Sequence, residues 1–235
     1  MASNNAANSD DQSVILHKYF NEAARDWERK YTFAGSMYWR IRKFADALQT
    51  RVPLHACVLD LGCGSGDITA ACASRGYEMV GIDQSAEMIT RARSRFHDLK
   101  IAFEVGSIST KESLPYKNDR FGSFLASSVL EYVPEPRPCL TELRRVCSDT
   151  AFGFLTVPNP YHPLRIIEEV ERRVRSLAPQ WARLGQSRKR YLDLSNTRLS
   201  LSGWTKAFSE GGWEVVDIQG TRTPLLFFAL KATKS

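Results

Sequence analysis

The chain has 235 residues, 43% hydrophobic and 25% charged, which suffices for one sizeable core. Its 32 Lys and Arg against 26 Asp and Glu leave a net charge of +6, a balance open to an anionic small molecule, nucleic acid or a membrane surface. The five cysteines (Cys57, Cys63, Cys72, Cys139 and Cys147) form no C-x-x-C pair, which argues against a disulfide framework and a zinc site, and no apolar run reaches the roughly 18 residues of a membrane span.

Residues 1–13 are polar and are expected to form a disordered tail, with nothing that marks the chain for export, so a cytoplasmic location is expected. Apolar residues at Val14, Ile15, Tyr19, Phe20, Ala23 and Trp27 then fall on a helical stripe. A second stripe, Met37, Tyr38, Ile41, Phe44, Ala45 and Leu48, stops before Pro53. Residues 14–52 are thus predicted to be two helices capping a sheet, with Tyr19, Tyr31 and Arg40 placed to close over a ligand from that side.

Ala56–Leu61 reads as the first strand, and Gly62, Gly64 and Gly66 follow it at alternate positions before a helix over Ile68–Ser74. Glycines at such a turn let a ligand approach the main chain, and the free N–H groups of the helix start face that ligand. A nucleotide-like molecule suits the site. The dinucleotide fingerprint asks for a sixth-position glycine where this chain has Asp67, so a nicotinamide cofactor is disfavoured.

Glu78–Ile82 is the second predicted strand. Ser85 caps a helix over Ala86–Phe96, and Ile101–Val105 forms the third strand. Phe121–Ser127 reads as a buried parallel strand, Cys139–Val146 with Pro138 at its start as a helix, and Ala151–Val157 as the fifth strand. Near the end, Leu201–Glu210 is a helix with Ser202 as candidate cap. Trp213–Gln219 and Leu225–Ala232 are then too close for a helical crossover, so they form an antiparallel hairpin. Asp83, at the end of the second strand, is positioned to accept both hydroxyls of a ribose.

With Asp60 two residues ahead of Gly62, the glycine stretch resembles the first motif of class I S-adenosylmethionine-dependent methyltransferases. Gly81-Ile82-Asp83-Gln84-Ser85, Leu114-Pro115-Tyr116 and the run from Phe121 to Pro136 extend the likeness to small-molecule O-methyltransferases of the quinone, polyketide and sugar type. The resemblance implies an α/β fold: a single Rossmann-like doubly wound domain over 14–235, with a mostly parallel seven-stranded sheet ending in the hairpin. Residues 162–200, after strand five, would be a helical lid insertion. A short run, Tyr19-Phe20-Asn21 with Trp27 and Tyr31, is also similar to porphyrin-carboxyl methyltransferases but covers too few residues to name a substrate.

S-adenosyl-L-methionine is the cofactor so implied, held by Asp60, Gly62, Cys63, Gly64 and Gly66, with Asp83 and Gln84 at the ribose. Ser107 and Ile108 stand where the family usually has an acidic residue for the adenine. Ser127 and Ser128 end the fourth strand beside the methionine part. Methyl transfer from a sulfonium is an in-line displacement that needs no obligatory base. His162 and Glu131 are the candidates for one, and no metal is expected.

Residues 165–198 hold nine Lys and Arg against four Asp and Glu, which favours an anionic or amphipathic small-molecule acceptor. No stacking platform of aromatics accompanies these charges, so a nucleic-acid acceptor is not expected. Oxygen is the expected target. Nitrogen, or cofactor binding without catalysis, remain the alternatives.

Overall fold

The computed structural model describes residues 3–106, 113–177, 194–195 and 197–234, giving only the backbone for 3–13, 172 and 174–177. Ser107, Ile108 and positions 178–193 and 196 of the expected lid lie outside the described residues. In chain order the elements are α1 (Ser3–Trp27), a 3-10 turn (Glu28–Tyr31), α2 (Tyr38–Arg51), β1 (Cys57–Leu61), α3 (Asp67–Ala73), β2 (Glu78–Asp83) and α4 (Ala86–Arg95). There follow β3 (Ile101–Val105), β4 (Phe121–Ser127), a 3-10 turn (Leu130–Tyr132), α5 (Pro136–Val146), β5 (Cys147–Pro158), α6 (Pro163–Leu177), α7 (Leu201–Glu210), β6 (Trp213–Gln219) and β7 (Leu225–Ala232).

One sheet of seven strands runs in the order β3-β2-β1-β4-β5-β7-β6. The first five strands pair in parallel. β7 then pairs antiparallel with both β5 and β6, for instance Phe154 opposite Ala229 and Ile218 opposite Phe228. Sequence order reverses between β1 and β4, and at such a switch point the strand ends splay around a crevice that takes a ligand.

Successive residues of each strand face opposite sides, so the sheet feeds two cores. Phe124 and Phe228 join Trp204, Phe208 and Trp213 under α5 and α7. Their neighbours Leu125 and Phe227 join Phe44, Leu48 and Phe154 under α2 and α3. Trp213 sits wholly inside, its ring edge-on to Phe124 with centroids 4.9 Å apart, and its indole N–H donates to the Leu140 carbonyl at 3.0 Å.

Several boundaries differ from the sequence reading. The first helix begins at Ser3, covering residues expected to be a tail. The α5 helix starts at Pro136 and not Pro138, since a proline at the first helical position loses no hydrogen bond. The cap of α7 is Ser200, whose hydroxyl accepts from Gly203 N–H at 3.0 Å, and not Ser202. Ser85 does cap α4, accepting from Met88 N–H at 3.2 Å.

Candidate active site

Three left-handed glycines shape the turn after β1: Gly62 at φ 69°, Gly64 at 53° and Gly66 at 80°. Gly64 and Gly66 do different things there. A Cβ on Gly66 would meet the Phe103 ring at 2.8 Å and Ala92 at 3.1 Å, so that glycine lets the start of α3 pack on β3 and α4. A Cβ on Gly64 would meet only the Trp27 indole, Nε1 at 3.3 Å and Cδ1 at 3.8 Å. Gly64 therefore faces a space that Trp27 borders.

Asp83 forms the next wall. Its Oδ2 accepts from Gly64 N–H and its Oδ1 from Ser85 N–H, each at 2.9 Å, which fixes the carboxylate beside the glycine turn. Each oxygen keeps acceptor capacity beyond that one bond. Burial raises the Asp83 carboxyl above the ordinary carboxylate range, against the pull of the two N–H groups. Asp60, deeper in β1, accepts from the Thr69 hydroxyl at 2.6 Å and is pushed up to about 7 by burial. Its carboxylate holds the turn from beneath. Cys63 tucks its Sγ against Gly81, and burial raises its thiol well above the usual value. Gln84, after Asp83, is half-buried at the rim.

Asp67, standing where a dinucleotide site needs glycine, has its own task. Arg95 of α4 grips it with two bonds, Nη2 to Oδ1 at 2.7 Å and Nη1 to Oδ2 at 2.9 Å, tying α3 to α4.

The N-terminal segment roofs the crevice. Asn21 accepts from the Ser85 hydroxyl at the end of β2, while Phe20 meets the Tyr132 ring beyond β4 with centroids 5.3 Å apart. Phe20 also packs edge-on against Trp27 at 5.6 Å. From α2, Arg40 is buried and donates from Nη1 to Ser127 Oγ at 3.1 Å. Tyr31 lies near Arg40, Asp60 and Ser127, and burial pushes its phenol up to about 12. Tyr31, Arg40 and Ser127 thus lie at the end of β4 where the sequence placed a ligand. Ser128 holds φ at 57° while its N–H donates to Thr156 Oγ1 at 3.0 Å, a left-handed serine of the kind that gathers at binding sites.

The two candidate bases are engaged otherwise. Glu131 is buried, and its Oε2 accepts from the Ser195 hydroxyl at 2.8 Å while its carbonyl accepts from Thr197 N–H at 3.1 Å. That pins Ser195 and Thr197 to the turn after β4. His162 Nδ1 accepts from Leu164 N–H at 3.3 Å at the start of α6. With Nδ1 accepting, the neutral ring carries its proton on Nε2 and presents a donor. Neither Asn21 nor the pins at Ser195 and Thr197 were read from sequence; Asn21 lies 64 residues from its partner, and only the polar break in an apolar stripe marks it.

The described residues contain no group of His, Cys, Asp and Glu able to hold a metal, and no helix among them is long and apolar enough to cross a membrane.

Comparison with known proteins agrees with this architecture. A family described as a methyltransferase domain matches residues 59–154. Trans-aconitate 2-methyltransferase of Methylobacterium radiotolerans is 31% identical over 150 residues, 62% of this chain and 54% of that protein. A ubiquinone biosynthesis O-methyltransferase of Alkalilimnicola ehrlichii is 32% identical over 79 residues, 34% of this chain and 32% of that protein. The chain thus spans about half the length, or less, of the curated relatives it matches. Among solved structures, magnesium protoporphyrin IX methyltransferase of Synechocystis, with bound S-adenosylhomocysteine, superposes with a TM-score of 0.71 at 16% identity, covering 94% of this chain and 99% of that one. A Haloferax volcanii methyltransferase in complex with a Trm112 activator gives 0.67 at 20% identity, covering 92% and 98%.

Proposed function

We propose that this chain is a class I S-adenosylmethionine-dependent methyltransferase and that it moves the methyl group of S-adenosylmethionine to an oxygen of a small-molecule acceptor. The observation that carries the reading is the Asp83 carboxylate, fixed by Gly64 and Ser85 N–H groups beside a turn whose central glycine opens onto a roofed space. A cis-diol needs two acceptors held in one orientation, and this carboxylate offers them. The donor fits: Asp83 and Gln84 would hold its ribose, Gly62, Cys63 and Gly64 would flank its sulfonium arm, and Ser127 would meet the methionine part. Bound there, it supplies an electrophilic methyl group.

The chain's own contribution is alignment and exclusion of water. Trp27, Phe20 and Tyr132 close the space from above, and Asp60 and Thr69 keep the turn from below. Glu131 Oε2 and His162 Nδ1 each already accept a hydrogen bond, which supports catalysis by positioning over a general base. Small-molecule chemistry is supported by relatives named for trans-aconitate and for ubiquinone biosynthesis. The name of the second favours oxygen over nitrogen.

Calorimetry with S-adenosylhomocysteine tests the donor site. Binding in the micromolar range is expected, and Asp83→Ala is expected to weaken it by about 1–3 kcal/mol, roughly five- to 150-fold. Absence of binding at high micromolar concentration refutes the reading. Incubation with labelled S-adenosylmethionine and a metabolite extract then separates an enzyme from an inactive binder, because only the enzyme labels an acceptor.

A further inference from the structure

Beyond the donor crevice, a cavity of about 510 Å³ opens at the end of β5, in the size range of small-molecule sites. Pro158, Pro160, Ile166 and Val170 give it apolar walls, and Arg165 and Arg198 bring two guanidinium groups. It is set toward the acceptor side by its connections. Ser195 and Thr197, close before Arg198, are bonded to Glu131 in the turn after β4, and α6, which delivers Arg165, leaves from the end of β5.

The charges in it are unevenly satisfied. Arg165 Nη1 takes Glu168 Oε2 at 2.8 Å, and its Nε donates to the Pro224 carbonyl at 3.3 Å. Arg198 spends only Nε, on the Ser195 carbonyl at 3.1 Å. Its Nη1 stops 3.7 Å from the same Glu168 oxygen, and both Nη1 and Nη2 are buried without a hydrogen-bond acceptor. Glu168 thus stands between these two guanidinium groups, while Glu169 and Arg173, which also line the cavity, pair with each other at 2.9 Å. A buried guanidinium fork without a hydrogen-bond acceptor costs free energy that a planar two-oxygen anion removes.

We propose that this cavity is an anion subsite for the acceptor, with a carboxylate or phosphate group seated on the Nη1 and Nη2 of Arg198 and an apolar body lying against Ile166, Val170 and the two prolines. The proposal rests on the methyltransferase reading, in which the acceptor enters from this side, and it names the class of molecule. The acceptor is then an amphipathic acid. Its charged end is held away from the donor, leaving the reacting atom to point back toward β4.

The test is calorimetry on the full chain with 3-phenylpropanoate, phenyl phosphate and 3-phenylpropanamide, with and without S-adenosylhomocysteine. The anions are expected to bind at least about tenfold more tightly than the neutral amide. Arg198→Gln should erase that preference while leaving S-adenosylhomocysteine affinity unchanged. The order of the two anions tells a carboxylate source from a phosphate one. Equal binding of all three probes, or an Arg198→Gln protein that keeps the preference, overturns the proposal. Should that variant not fold, titration of the unaltered chain with sodium chloride decides: anion binding that weakens with salt while amide binding holds supports the subsite, and equal salt response refutes it. A chain that prefers anions but ignores S-adenosylhomocysteine would sink the methyltransferase reading and not the anion site, and the reverse pattern would do the opposite.

Discussion

Alanine at Gly66 and alanine at Gly64 should injure this protein in opposite ways, although the two glycines are neighbours in one turn. At Gly66 the backbone sits at φ 80°, which costs an L-residue about 1–2 kcal/mol. The new methyl would also stand 2.8 and 2.9 Å from two carbons of the Phe103 ring, which is buried and has Ala92 behind it. Overpacking of that kind adds about 1–3 kcal/mol. The total, about 2–5 kcal/mol, lowers the melting temperature of a chain this size by roughly 4–20 °C. At Gly64, φ is 53° and the nearest atom is the Trp27 indole nitrogen at 3.3 Å, so only the backbone term of about 1–2 kcal/mol remains. Its methyl, however, enters the space where the donor must approach the main chain. Gly64→Ala should therefore melt only a few degrees below the unaltered protein, about 2–8 °C, yet bind S-adenosylhomocysteine at least about tenfold more weakly. Thermal unfolding by circular dichroism and calorimetry read the two effects separately. The reasoning fails if Gly66→Ala melts within about 2 °C of the parent, or if Gly64→Ala is the less stable of the pair.

Two further predictions concern titrating groups. Asp60 has a folded value near 7 against an ordinary value of about 3.9, so the stability its protonated form contributes is present below about pH 4 and is lost as the pH rises through 7. Asp60→Asn should accordingly gain on the parent across that window, by up to about 4 kcal/mol, in urea unfolding at a series of pH values; a difference that stays flat with pH refutes the assignment. His162→Gln should leave methyl transfer within about threefold of the parent, with an unshifted pH profile, and a loss beyond about a hundredfold in a folded variant would restore a general-base role.

The sheet was legible because buried parallel strands advertise themselves: Val58–Leu61, Met79–Ile82 and Phe121–Ala126 are near-continuous apolar runs, each closed by turn residues. Trp213–Gln219 and Leu225–Ala232 gave away the hairpin by the shortness of what joins them. The start of α1 was not legible, since residues 3–13 carry no apolar period to show a helix. Much the same division runs through the site. Asp60, the glycines and Asp83 lie within one βαβ unit, where spacing alone dictates geometry. Arg40 on Ser127, Asn21 on Ser85 and Glu131 on Ser195 join residues 87, 64 and 64 positions apart, and no local pattern encodes such a partner. The two serine caps show the finer limit: Ser200 and Ser202 are chemically alike, and only the frame of the helix start chooses between them.

The antiparallel strand β7 has a consequence for how the molecule is assembled. It separates β5 from β6, so β6 has no sheet partner until the strand that follows it in sequence has arrived. The turn before β7 also anchors the segment after β5: Asn159 Nδ2 donates to the Thr221 and Thr223 carbonyls, and Arg165 Nε donates to the Pro224 carbonyl. The donor half, β1 to β4 with its glycine turn, consists of pairings between segments that emerge early. Contacts of long sequence separation form late because closing their loops costs entropy first. During synthesis, then, the strands around the glycine turn have all emerged well before β7, which completes the sheet beside β5 and gives β6 its partner.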